Sequence, residues 1–158
     1  MAKVTMRGRD AISASLAECF ITFADGNRYN FMQAINLEAR MEKTKTQVPI
    51  LNKPGKGNKS AGWKGTGSAT FHFNTSIFRK LMKHYKDTGE DFYFDMQITN
   101  DDPTSAAGIQ TIILNDCNLD SVILAKFDAD GEILDEDFDF TFEDWNMPDE
   151  FVELEGMR

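Results

Sequence analysis

Few residues in this 158-residue chain have the types and spacing needed for chemistry. Gly55-Lys56-Gly57-Asn58-Lys59-Ser60 has the composition of a phosphate-cradling loop, where glycine bares backbone N–H groups and lysine neutralises phosphate charge. The order Gly-x-x-x-x-Gly-Lys-Ser/Thr is absent and no helix follows directly, so that reading fails. Asp128-Ala129-Asp130-Gly131 starts like a calcium loop, but its glycine comes two positions too early and no glutamate falls at the required closing position; a tight hairpin turn is expected. His72 falls on the outward parity of a strand, and His84 on the polar side of a helix beside Lys83. Neither has a nearby serine or cysteine arranged as a nucleophile. Asp101 and Asp102 are adjacent carboxylates in a loop, a weak signal for acid–base work in so acidic a chain. Cys19 and Cys117 are expected to be reduced core thiols, with no histidine spacing that would build a metal site. The residues therefore predict no catalysis, no cofactor and no metal.

Composition sets the frame for these residues. A hydrophobic fraction of 41% and a charged fraction of 27% are those of an ordinary globular protein, and the length suits one domain, 1–158, with a substantial core. Thirteen phenylalanines favour strands and sheet packing. No run approaches the roughly 20 apolar residues of a membrane helix, and the N-terminus shows no apolar signal region. The net charge of −9 is unevenly spread. Residues 43–64 hold six lysines and no acid, whereas residues 128–158 hold thirteen acids and one base. So acidic a surface is not built to grip nucleic acid. The polarised distribution is read either as two solvated segments or as complementary patches that meet between copies.

Residues 75–88 are the clearest helix. Asn74, Thr75 or Ser76 can cap its start and Gly89 its end. Ile77, Phe78, Leu81, Met82 and Tyr85 form the apolar stripe, with Arg79, Lys80, Lys83 and Lys86 opposite. Such a helix needs a sheet to dock on, because ordering about a dozen residues, at roughly 1–2 kcal/mol each, offsets what its stripe gains by burial. Strands are expected at 18–23, at 28–42 after the Asp25-Gly26 turn, at 67–73, at 92–99, at 109–114, at 119–127 and at 137–142. The 28–42 strand is unusually long, with one parity break at Gln33; it would bend into a second sheet or project as a hairpin arm. The continuous apolar runs at 109–114 and 119–127 imply strands covered on both faces. Residues 43–67, rich in glycine and lysine, are expected to be a mobile loop. Trp63 within them is either an anchor buried by a partner or a ring folded back on its own domain. Residues 143–158 are expected to be an acidic surface tail.

Several stretches taken in order carry a resemblance: Asp25-Gly26-Asn27-Arg28-Tyr29, Gly62-Trp63-Lys64-Gly65-Thr66-Gly67, Phe78-Arg79-Lys80-Leu81-Met82 with Thr88-Gly89, Asn100-Asp101-Asp102-Pro103-Thr104-Ser105, and Asp116-Cys117-Asn118-Leu119-Asp120. Over residues 11–151 the sequence resembles the tail tube (core tail) proteins of contractile-tailed phages of the PBSX-type defective prophage group. None of these motifs is chemically diagnostic singly; their order and spacing carry the likeness.

The resemblance implies a mainly β fold, an antiparallel β-sandwich or barrel of the tail tube type with one flanking helix. It implies hexameric rings stacked as a hollow tube inside a contractile sheath, with a lumen through which DNA passes and no catalysis. Implied partners are other copies of the chain and the sheath, baseplate and tape-measure proteins. DNA is implied only in transit, without specific binding, and no membrane is involved. The implied location is the virion tail, assembled in the host cytoplasm. Within this picture the expected subunit interface comprises Lys53, Lys56, Lys59, Trp63 and Lys64 against Asp137 and Asp139, a head-to-tail contact of the kind that closes rings and propagates fibres. Arg79, Lys80, Lys83 and Lys86 would form an outer face of the helix. The alternatives are a monomeric β-sandwich that binds a protein or small ligand, and a variant that carries effectors like the tube of type VI secretion systems.

Overall fold

The computed structural model describes residues 3–158. Among the described residues the chain forms eight strands and one α-helix, distributed over two compact units.

The first unit holds residues up to Met32, Tyr93–Asp116 and Asp144–Arg158. Its strands are β1 (Ala17–Phe23), β2 (Arg28–Asn30), β5 (Phe94–Asp101), most of β6 (Ile109–Leu119) and β8 (Asp144–Asp149), in the order β2-β1-β5-β6-β8. The β1–β2 turn forms as its sequence dictates: Gly26 takes a φ of 89°, and the Asp25 carboxylate accepts the Asn27 N–H at 2.9 Å. Cys19, Ile21, Phe31, Phe94, Met96 and Leu114 are buried, following the alternation read in β1 and β5.

The second unit holds Gln33–Phe92 and Cys117–Glu143. It is built from the end of β6 with β7 (Asp135–Phe142), β4 (Gly57–His72) and β3 (Ala34–Val48), paired antiparallel in that order, and from α1 (Ile77–Thr88). Phe71, Phe78 and Phe138 meet at ring-centroid distances of 4.9 to 5.7 Å, so α1 docks through Phe78 on the β4–β7 pair. Gly89 closes α1 in the left-handed region (φ 74°), with its N–H on the Tyr85 carbonyl. The helix starts later than the expected 75, and no side chain caps it at Ser76; the Thr75 hydroxyl accepts the Ile77 N–H at 3.4 Å instead.

Four expectations need correction. The strand expected at 28–42 is two strands; the break falls at residues 31–33, where Gln33 interrupts the parity and the chain leaves the first unit for the second. The 43–67 segment is not a loop. It pairs as the distal part of a β3–β4 hairpin from Lys43↔Trp63 to Val48↔Gly57, which leaves residues 49–56 as the connection. Glycine there marks close packing rather than slackness: a Cβ on Gly65 or Gly67 would overlap the ring of Phe142 or Phe140 on β7. Residues 119–127 are not a covered strand. β6 runs unbroken through Asn115-Asp116-Cys117-Asn118, with Asp116 at φ 54° and its N–H on the Asp95 carboxylate, and the chain after Leu119 is irregular and largely exposed. Finally, residues 144–149 of the expected tail form β8 on β6, because an edge strand can pair by backbone alone without an apolar alternation.

Candidate subunit interface

β7 has the most regular side-chain pattern in the chain. Exposed and buried residues alternate along its whole length, with Phe138, Phe140 and Phe142 inward and Asp137 and Asp139 outward. Pairing with β4 sets Asp139 beside Ser68 and Asp137 beside Thr70; β3 then places Glu38 beside Ser68 and Glu42 beside Lys64. The solvent face of this sheet is thus polar and mainly acidic. A shallow groove of about 500 Å³ on it is lined by Glu38, Arg40, Glu42, Asp120 and Asp139 among others. Its ion pairs, Arg40–Glu38 at 2.8 Å and Lys64–Glu42 at 3.8 Å, are exposed and contribute little to stability.

Beyond Gly65 the character of the hairpin changes. β3 from Glu38 and β4 from Asn58 to Lys64 are exposed at every position, so the arm is a two-stranded ribbon wetted on both faces. A lone hairpin of this kind is marginal in water. Lys59, Trp63 and Lys64 lie on the arm, and Lys53 and Lys56 in its connection. Trp63 shares features of both readings made from its sequence. Its ring lies 6.3 Å from Phe142, yet 39% of the residue remains exposed.

The helix cations divide. Lys80, Lys83 and Lys86 are exposed, but Arg79 turns inward, which corrects its place in the outer face. Its guanidinium donates to the Glu136 carboxylate at 2.6 Å, to the Ile123 carbonyl at 3.1 Å and to the Thr75 carbonyl, and stacks 4.3 Å from the Phe73 ring centre. Glu136 is fully buried, and its other oxygen, Oε1, has no hydrogen-bond partner among the described residues. This pair was missed from sequence, although the parity of β7 points to it: Glu136 lies in register with Phe138, Phe140 and Phe142.

Among the described residues no cluster of histidine, cysteine and carboxylates could hold a metal. His72 ends β4 and His84 lies on α1, where its ring is 3.4 Å from the exposed Glu90 carboxylate. Cys19 and Cys117 are buried thiols, and burial pushes the Cys19 thiol up to about 11. The Asp102 carboxyl, bonded by the Thr104 hydroxyl and by the Ser13 and Thr104 N–H groups, titrates below the usual carboxylate range. It fixes a loop rather than facing a substrate cleft.

Comparison with known proteins gives this arrangement its context. The chain is 36% identical over 146 residues to the phage-like element PBSX protein XkdM of Bacillus subtilis (strain 168), covering 92% of this chain and 96% of that one. Similar folds occur in the anti-feeding prophage baseplate (TM-score 0.61, 12% identity, 93% of this chain and 97% of that one) and in the SPP1 tail tube (TM-score 0.59, 8% identity, 97% and 83%). The phage tail tube protein family matches residues 4–149. With a mainly antiparallel sheet, one docked helix and a face built of paired backbone and surface charge rather than a reactive centre, the chain belongs to the phage tail tube protein family, whose members are structural proteins and not enzymes.

Proposed function

We propose that this chain assembles with copies of itself into hexameric rings that stack as the inner tail tube of a contractile phage-like particle. The observation that carries this reading is the β3–β4 arm, a ribbon exposed on both faces that gains stability when a neighbour covers it. Lys59, Trp63 and Lys64 on the arm then face the acidic sheet surface of the next copy around Asp137 and Asp139, with Lys53 and Lys56 at the arm's tip reaching acids beyond it. This is a heterologous contact, able to close a ring or to propagate. Sixfold order is supported by the similar fold in the 6-fold symmetrised anti-feeding prophage baseplate. The lumen passes DNA without holding it, since a chain of net charge −9 offers phosphate few cationic contacts. Sheath, baseplate and tape-measure proteins complete the particle, with Lys80, Lys83 and Lys86 presented on the helix. The subunit is a virion component, assembled in the host cytoplasm. Sedimentation and negative-stain imaging of the concentrated protein test this. Rings or tubes are expected, whereas strict monomers at high concentration would overturn the proposal in favour of a monomeric binding module.

A further inference from the structure

The tip of the arm carries apolar side chains as well as lysines. Leu51 is 90% exposed and Ile50 also stands in solvent, flanked by Lys53 and Lys56. Charge alone explains a solvated basic loop, but not a bare leucine beside an isoleucine at its apex. A second surface has the complementary make-up. In the irregular segment 121–134, Leu124 is 72% exposed, Phe127 92% and Ile133 78%, and Asp128, Asp130 and Glu132 lie among them. Three large apolar residues bared within ten positions are not the scattered exposure of an ordinary surface.

The segment is also held in shape. Arg79 fixes its start through the Ile123 carbonyl at 3.1 Å. Lys126, its one base, is tied at 3.0 Å to the Asp135 carbonyl and at 3.2 Å to the Asp135 carboxylate. The turn at 128–131 is closed by the Gly131 N–H on the Asp128 carbonyl and the Asp130 N–H on the Asp128 carboxylate. A surface already ordered loses little freedom when covered. With Lys126 engaged, the charge it presents is that of Asp128, Asp130 and Glu132, opposite in sign to the arm tip.

We infer that the arm tip of one copy docks on segment 121–134 of a second copy. Ile50 and Leu51 cover Leu124, Phe127 and Ile133, and Lys53 and Lys56 meet Asp128, Asp130 and Glu132. The inference rests on the self-assembly proposed above and specifies where the arm lands. Opposite charge fixes register and speeds encounter, while the apolar pairs supply the burial.

Single-cysteine variants test it, since the native cysteines are buried. Leu51→Cys protein mixed with Phe127→Cys protein under oxidation should give at least tenfold more disulfide-linked dimer than either alone. Mixing Lys53→Glu/Lys56→Glu protein with Asp128→Lys/Asp130→Lys protein should restore assembly that each variant alone has lost by tenfold or more in threshold concentration. Native assembly with no excess of mixed disulfide overturns this contact and leaves the tube reading standing. A disulfide formed within one chain carrying both cysteines, at concentrations where it is monomeric, also overturns it. A native chain that never assembles overturns both.

Discussion

β4 is one continuous strand with two different environments. From Gly65 to His72 it is sandwiched between β3 and β7, and Ala69 and Phe71 are fully buried under the phenylalanine cluster. From Asn58 to Lys64 it has a single neighbour and no buried residue. Both halves are extended and paired antiparallel to β3, the arm with a register shift at Thr44/Lys45; what differs most is the third strand and the rings it brings. Hydrogen-bonded pairing therefore suffices to shape the arm, whereas only the proximal half has the burial that makes a sheet stable by itself. This contrast separates residues that hold the subunit together from those left available to a partner.

The largest effect is expected beneath the packed half. Arg79→Ala leaves the buried Glu136 carboxylate without its cation and should cost about 3–5 kcal/mol in urea unfolding. Arg79→Met combined with Glu136→Leu should recover most of that loss, because neither charge is then stranded. Equal instability of single and double variants would mean that shape, not charge, governs the site.

The two glycines sharpen the boundary further. Gly67→Ala drives a methyl into Phe140, which is fully buried beside Phe138, and should cost about 1–3 kcal/mol. Gly65→Ala meets Phe142, the last ring before the arm, and should cost less. Reversal of that order in thermal melts would place the packed boundary beyond Gly65. On the arm itself, Trp63→Ala should change folding stability by less than about 1 kcal/mol, given its partial exposure, while weakening assembly clearly. Unchanged tube length in micrographs of the folded variant would remove Trp63 from the interface.

The smallest effect should fall outside both halves. Asp102 titrates below its unfolded value, so it adds stability that is complete above the unfolded value of about 3.9 and is lost as pH falls through the folded one. Asp102→Asn should flatten the decline of melting temperature as pH falls below about 4 and leave assembly at pH 7 intact.

Much of the packed half was legible in sequence. Alternation located β1, β5 and β7, and Gly89 marked the end of α1. The arm was not, because its glycines and lysines carry the composition of a loop; what orders them is pairing with β3, continued from a proximal half where Gly65 and Gly67 give clearance to rings some 75 residues away, which no local pattern reports. Segment 121–134 misled in the opposite sense, since a run such as Val122-Ile123-Leu124 looks the same whether it is covered by the chain itself or left bare. Glu136 was readable in principle from β7 parity, but a carboxylate at an inward position is intelligible only once Arg79 is known to reach it.

The clearance at Gly65 and Gly67 also constrains how this sequence can drift. Position 67 can gain a side chain only if position 140 gives up its ring, and the same holds, less strictly, for 65 and 142. Single steps away from the present pairs pass through an overfilled or a hollow core, so these positions change together or stay as they are. Across descendants of this chain, the footprint of that coupling would be small residues on β4 matched to aromatics on β7, exchanged as pairs.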